Sequence, residues 1–474
     1  MNKLHIFLLS LALTFVINVS AQEASRSGYF LNGYSFRHEL NPAFDNDYNY
    51  ISIPALGNIN VGTASNVGVN TFMYKLPNGQ LTTFMNPSVS SDDFISKLSN
   101  NNKITSNLNL TVLSAGFRGF GGFNTITLST RADIGANLPK GLFEFMKLGQ
   151  QGTSSSYSFE DFNIKASAMA EVAIGHSHAI NEHLEIGAKL KFLVGAGSLN
   201  ANIDKMNITL SDNKWEIQAK GSLDMAAGSD FYVPTKQEVV RENGNVSQSS
   251  EIEWDEVSYD KFSTSGMGIG VDLGVVYRNV VPGLTLSASV IDLGFINWSD
   301  NIKGETPDTK WTFDGFRDVA IDSSQPGYEE DKLSEQFDDI FDDLKDCVNF
   351  HRTSTGGSRS QALAATIYFG AEYEMPFYNR LTAGLLFTQR INGAYSWTEG
   401  RLSANLKPSK WFDCSVNVAQ STFGTSFGWV LNFHPRGFNL FIGTDHQFFE
   451  ITPQFLPVGN ANANINVGFN ITFK

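Results

Sequence analysis

Residues 461–473 read Ala-Asn-Ala-Asn-Ile-Asn-Val-Gly-Phe-Asn-Ile-Thr-Phe, which puts Ala463, Ile465, Val467, Phe469, Ile471 and Phe473 on one face and Asn462, Asn464, Asn466, Asn470 and Thr472 on the other. Successive side chains of a strand point to opposite sides, so one face suits hydrocarbon and the other suits water. A segment of this period and length, ending in an aromatic one residue before the C-terminus, is what a transmembrane β-barrel needs to close against its first strand.

The pattern continues upstream. Leu363, Ala365, Ile367, Phe369, Ala371 and Tyr373 share a face, as do Leu381, Ala383, Leu385 and Phe387. Ile391-Asn392-Gly393 supplies a tight-turn signal between strands. With 397–406, 411–419, 426–433 and 438–448 they predict a seven-strand up-and-down meander in the C-terminal third. Trp397, Trp411, Trp429, Tyr373 and Tyr378 fall near strand ends or on outward faces, the place of an interfacial aromatic girdle. Less regular strands are predicted at 48–53, 59–74, 108–117, 123–134, 162–174, 184–196, 204–210, 214–223, 266–277 and 284–296. That is more than one wall requires, so some belong to loop hairpins. The fold class is all-β, an antiparallel transmembrane barrel of about 14 strands (range roughly 12–16) with a few short loop or plug helices.

Composition agrees with this class. Forty-two glycines, 38 phenylalanines, 14 tyrosines and a mean hydropathy of −0.15 fit strands with only one greasy face. A net charge of −14 argues against nucleic acid as a partner, which needs a basic surface. Residues 1–21 carry Lys3, a short apolar run from Ile6 to Ile17 and small residues at Val19-Ser20-Ala21, the pattern of a secretory leader. The expected organisation is a signal peptide over 1–21, a periplasmic or plug segment over 22–47, and an outer-membrane barrel over 48–474. Long polar loops are expected near 228–262 and 299–359. Helical spacing appears after Ser91, at 141–148, and at 331–348, where Asp338, Asp339, Asp342 and Asp343 oppose an apolar stripe. Cys347 follows a charged loop and Cys414 alternates with apolar residues, so no disulfide between them is expected.

The chemistry is sparse. The acidic cluster around 329–346 lacks the spacing of a calcium loop and reads as a solvated helix face. His176 and His178, with His183 nearby, have no carboxylate or cysteine at ligand spacing, and a water-exposed rim position is expected rather than a metal site. Asp445 and His446 are adjacent in a predicted strand and so are expected to face opposite sides. Neither H-E-x-x-H nor C-x-x-C occurs. No catalytic residue, cofactor or metal is assigned, and an enzyme is not expected. Charges inside strands are the better lead: Arg131, Glu171, Lys189, Lys191, Asp272, Asp292 and Glu372 sit in otherwise apolar or small stretches. A Lys or Arg on the lipid face costs about 2–4 kcal/mol near the midplane, so these should face the lumen with Asn464 and Asn466. There they either pair to rigidify the barrel or line a path.

Several segments resemble a known group. Residues 466–473 resemble the C-terminal signal of bacterial outer-membrane proteins, which implies the barrel-insertion machinery and outer-membrane lipid as partners. Residues 34–44 (YSFRHELNPAF), 50–57 (YISIPALG), 85–90, 113–118, 187–193, 432–435 and 443–446 resemble an uncharacterised family of Bacteroidota outer-membrane proteins, similar to barrels of the FadL, PorV and PorP type. Asn41-Pro42-Ala43 resembles an N-terminal element that forms a lumen plug in the FadL type. The resemblance implies a plugged channel or transporter for a small or hydrophobic solute. The alternative it leaves is a non-transport scaffold that docks a protein partner through the long acidic loops.

Overall fold

The alternation of the last strand recurs around a closed antiparallel barrel of 14 strands, seen in a computed structural model that describes residues 25–236, 239–242, 245–248, 250–259, 263–308, 310–314, 349–446 and 462–473. The first strand, β1, comes in two pieces, Asn49–Ser52 and Asn58–Ser65. The others are β2 (Asn101–Gly119), β3 (Gly122–Pro139), β4 (Ser154–Ala179), β5 (Leu184–Ser211), β6 (Gly266–Tyr277), β7 (Leu284–Glu305), β8 (Ala365–Glu374), β9 (Leu381–Ile391), β10 (Trp397–Ser409), β11 (Phe412–Ser421), β12 (Gly424–Phe433), β13 (Phe438–Thr444) and β14 (Ala463–Phe473). Closure is made by β14, which pairs with β13 at Phe438↔Ile471 and with both pieces of β1 at Asn49↔Phe473 and Ile59↔Val467. The break in β1 contains Pro54, which has no N–H for the ladder, and Ala55 at φ +60°. Ala55 N still donates to Val112 O (3.0 Å), and Phe469 N to Leu56 O (2.8 Å), so the wall stays bonded across the break.

Inside and outside are reversed relative to a soluble protein. Outward Leu385, Leu402, Val418 and Ile471 are 51–63% exposed, while inward Asn432, Asn439, Asn466 and Asn470 are fully buried. Lipid supplies no hydrogen-bond partners, so a closed ring with an apolar belt is the form a sheet takes there. At one end the turns are short. Between β2 and β3, Phe120 and Gly121 take φ of +55° and +78°, the paired left-handed geometry of a two-residue hairpin. All longer connections lie at the other end.

Several expectations need correction. The strand at 59–74 stops at Ser65, followed by a helical turn at Val69–Phe72 and a small hairpin, Met73–Lys75 against Leu81–Thr83. The stretches 184–196 and 204–210 are one strand, β5, of 28 residues. Part of the 299–359 insertion is strand too, in the end of β7, in Lys310–Phe313 and in His351–Ala362. Together with the upper halves of β4 and β5 and with Lys214–Ala226, these build a sheet beyond the barrel, with Phe159, Ile208, Leu210 and Ile217 in its core. A tilted strand needs only about 9–11 residues to cross, so these strands run on well past the membrane. The helix expected after Ser91 spans Ser91–Ser96 and is capped by Ser90, whose Oγ accepts from Asp93 N at 3.3 Å. Trp397 is buried in the interior, while Trp411, Tyr373 and Tyr378 are exposed near the short-turn end. The leader at 1–21, the acidic helix at 331–348 and Cys347 lie outside the described residues.

Candidate functional site

The lumen is filled by the chain's own N-terminal segment. β1 starts at the short-turn end, and residues 25–44 run up inside the barrel with two 3-10 turns, Arg26–Gly28 and Arg37–Glu39. Its aromatic residues make two buried cores with the wall, one around Tyr29, Phe30, Phe44, Tyr368 and Leu386, the other around Tyr34, Phe36, Tyr50, Phe123 and Phe441. The asparagines that face inward supply its hydrogen bonds: Tyr34 Oη donates to Asn466 Oδ1 (3.1 Å) and Ser35 Oγ to Asn439 Oδ1 (2.8 Å). Asn41-Pro42-Ala43 lies against β5 and β6, where two glycines make room. A Cβ on Gly187 would stand 2.1 Å from Pro42 O, and one on Gly274 would stand 2.0 Å from Asn41 Oδ1. Asn41 Oδ1 accepts from Ala43 N (2.9 Å), its Nδ2 donates to Ala288 O (3.3 Å), and Ser289 Oγ donates to Leu40 O (2.6 Å).

The far end of the segment is pinned near the long-loop rim. Arg26 Nε lies 3.0 Å from Glu399 Oε1, its guanidinium donates to His446 Nε2 (2.9 Å), and it stacks over Trp397 at 4.7 Å. Asp445 accepts from Arg26 N (3.0 Å), Ser27 N (2.6 Å) and Ser25 Oγ (3.1 Å), and Arg401 Nη2 donates to Glu399 at 2.8 Å. The expectation that Asp445 and His446 point apart is overturned: β13 ends at Thr444, so strand alternation no longer separates them, and both reach Arg26. Glu399 and Arg401 were missed in the sequence, although their spacing of two in β10 was a usable signal for one shared inward face.

Below this anchor, five of the strand charges meet. Lys191 Nζ is 2.6 Å from Asp292 Oδ1, 2.9 Å from Asp272 Oδ2 and 3.8 Å from Glu171 Oε1. Arg131 reaches Asp292 at 2.7 Å and Glu171 at 3.3 Å. Neighbouring strands β3 to β7 contribute one member each, because lumen-facing positions at matching height are adjacent across the ladder. A bulge adjusts the fit: the β6–β7 register shifts at Asp272, and Asp292 takes φ +62°, with its N–H donating to Asp272 Oδ1 at 2.8 Å. Left-handed backbone costs a non-glycine residue about 1–2 kcal/mol, which the two cations on Asp292 offset. Lys189 points lower and donates to His38 O at 3.1 Å. Glu372, Asn464 and Asn466 lie apart from the cluster: Glu372 accepts from Thr382 (2.7 Å), Asn464 Oδ1 accepts from His446 N (3.0 Å), and Asn466 Nδ2 donates to Asn58 Oδ1 (2.8 Å).

Three cavities follow one another inside strands β3 and β4, the lower two beside the plug. The upper one, about 920 Å³ of open space, is lined by Asn107, Arg131, Asp133, Lys165, Asp292 and Arg390 among others. The middle one, about 500 Å³, shares Arg131 and Asp292 with it and adds Glu39, Lys189 and Lys191. The lowest is a crevice too tight for a water molecule, which shares Lys189 with the middle one and is bounded by His38, Pro42, Phe123 and Ser177 near the short turns. The charges therefore stand at the junctions between cavities.

His176 and His178 face outward at the short-turn rim with rings 5.9 Å apart, and His183 stacks instead on Tyr277. Among the described residues no group of three His, Cys, Asp or Glu side chains could hold a metal ion. Gly424-Thr425-Ser426-Phe427-Gly428 has the order of a nucleophile elbow, but it opens strand β12 instead of joining a strand to a helix, and Ser426 is buried.

A family model described as a family of unknown function, DUF5723, matches residues 42–445. The chain belongs to that family. In this DUF5723 member the match takes in the Asn41–Ala43 tip from Pro42 onward and runs through the wall to Asp445. No curated protein matches the chain. Similar solved structures include the toluene transporter TbuX of Ralstonia pickettii, at 9% identity over 96% of each chain with a TM-score of 0.41. The toluene transporter TodX of Pseudomonas putida matches at 9% identity over 96% of this chain and 95% of its own, TM-score 0.40. A Pseudomonas aeruginosa FadL homologue matches at 10% identity over 96% and 99%, TM-score 0.39.

Proposed function

We propose that this protein is a plugged outer-membrane channel that carries a small solute along the β3–β5 wall. The observation that carries the reading is the pair of polar cavities that share Arg131 and Asp292 in their lining, continued towards the short-turn end by a crevice at Lys189 too tight for water. The polar lining favours a small polar solute over a hydrophobic one. The plug and the ion cluster keep the path narrow at rest, and passage requires one of them to shift. Reconstitution into planar bilayers tests this. A variant lacking residues 22–47 should conduct at a level the full chain does not reach, and absence of conductance or solute uptake in that variant sinks the reading.

A second reading, a barrel that docks a protein partner, is favoured by the sheet that β4, β5 and Lys214–Ala226 raise beyond the barrel. It predicts that trimming residues 154–160 and 205–218 abolishes partner capture and leaves conductance unchanged.

A further inference from the structure

We infer that the short-turn rim from β8 to β13 binds the phosphate headgroups of anionic glycerophospholipids in the leaflet it meets. This surface lies on the outside of the barrel, and its binding is independent of whether the lumen conducts. Three successive turns of the meander build it: residues 375–380 join β8 to β9, 410–411 join β10 to β11, and 434–437 join β12 to β13. They carry Arg380, Lys410 and Arg436, all exposed, and Lys407 stands half-buried near the end of β10. Register brings these groups into one row. Lys407 N donates to Arg380 O (2.9 Å), Arg380 Nη1 donates to Pro408 O (2.7 Å), and His434 N donates to Trp411 O (2.7 Å).

The row does not neutralise itself. Of the carboxylates on the same stretch, Asp413 is buried and accepts from Gly33 N (3.1 Å) and Asn432 Nδ2 (2.6 Å), and Glu372 accepts from Thr382 Oγ1 (2.7 Å). Glu374 alone is exposed there. None of the four cations pairs with a carboxylate among the described residues. The opposite half of the rim has the reverse balance: Asp45, Asp47, Glu182 and Glu185 stand against Arg118 and Arg278, which pair with Asp45 and Glu185. In a chain of net charge −14, a basic half-rim is a local departure that fits an anionic partner.

The rings beside the cations specify lipid. Phe377 is 78% and Trp411 53% exposed, Tyr378 is exposed next to Phe377, and Trp411 stacks on Phe433 at 6.5 Å. They continue the exposed apolar face of Leu385, Leu402 and Val418, so the cations stand just beyond the hydrocarbon, at headgroup depth. A long basic side chain there lays its stem on apolar surface and holds its charge in water. Neighbouring turns lie two strands, about 10 Å, apart, which suits separate, singly charged phosphodiesters.

Full-length protein in phosphatidylcholine vesicles that hold a minor share of brominated phosphatidylglycerol tests the inference. Bromine quenches indole fluorescence on contact, and the Trp411 signal is the difference from Trp411→Phe. Phosphatidylglycerol should quench Trp411 at least about threefold more than the same share of brominated phosphatidylcholine, a preference that falls as salt rises. Arg380→Gln, Lys410→Gln and Arg436→Gln together should equalise the two lipids, with the faster gel migration of the unheated barrel retained. Each substitution alone should already lower the preference, so the outcome does not hang on the folding of the triple variant. Equal quenching in the unaltered protein, or a preference that survives in the variants, would overturn the inference. Equal quenching together with capture of a glutamate-rich peptide by the unaltered protein and not by the triple variant would overturn it in favour of an acidic protein segment.

Discussion

Arg26 of the N-terminal segment and Glu399 of β10 form an ion pair of 3.0 Å with both side chains 1% exposed. A pair so deeply buried fixes geometry more than it adds stability, since both charges have left water. Removing one partner is the costly change. Arg26→Ala, or Glu399→Gln, should loosen the segment by about 3–5 kcal/mol. Trypsin cleavage within residues 25–44 of the detergent-solubilised protein should become rapid, while the barrel keeps its gel migration. Unchanged protection in both variants would show that the aromatic packing alone holds the plug.

The same anchor is pH-dependent. His446 lies just past β13, and burial pushes its pKa down to about 4, with Glu399 opposing that shift and Arg26 and Arg401 reinforcing it. A base whose folded pKa lies below its unfolded value stabilises the fold fully above about pH 6.5, and that contribution is lost as pH falls towards 4. The loss reaches about 3 kcal/mol at most. Protection of the plug should therefore drop between pH 6.5 and 4, and His446→Gln should flatten this part of the profile.

Lys191 touches three carboxylates. Lys191→Met would leave Asp272 with no ion-pair partner among the described residues, and Asp292 and Glu171 with Arg131 alone among them. The expected cost is about 3–5 kcal/mol, read as a lower temperature at which the fast-migrating form converts to the slow one. Adding Asp272→Asn should restore part of the loss, because the surplus buried charge is removed.

Gly187 and Gly274 seat the plug tip. An alanine methyl at either site would enter the space of Pro42 O or Asn41 Oδ1, and overpacking of this kind costs about 1–3 kcal/mol. Gly187→Ala and Gly274→Ala should raise single-channel conductance with the barrel intact. A variant that remains as silent as the full chain would place the resting barrier in the Arg131–Asp292 pair instead.

The fold was legible where side chains obey a period. Asn464, Asn466 and Asn470 alternate with Ile465, Val467 and Ile471, and that pattern sets the inner and outer faces without reference to any other strand. The strand charges were legible for the same reason, since the price of a charge in lipid leaves only the lumen for Lys191 or Asp292. Errors came where the period failed or ran on. β5 continues beyond the membrane through residues 197–203, which lack clear alternation, and the break at Pro54 and the helical turn after Ser65 interrupt a pattern that looked continuous.

By itself, then, the sequence determined an antiparallel barrel, its seven-strand C-terminal meander and the inward direction of its charges, because all of these follow from local alternation and the cost of unpaired polar groups in lipid. Only the tertiary structure decided what those charges do. That Arg26 meets Glu399, that Arg131 and Lys191 share Asp292, and that Asn41-Pro42-Ala43 rests on Gly187 and Gly274 depend on barrel closure, on register across neighbouring strands and on the path of residues 25–44 through the lumen. These contacts join residues up to several hundred positions apart, and no local period encodes such distances.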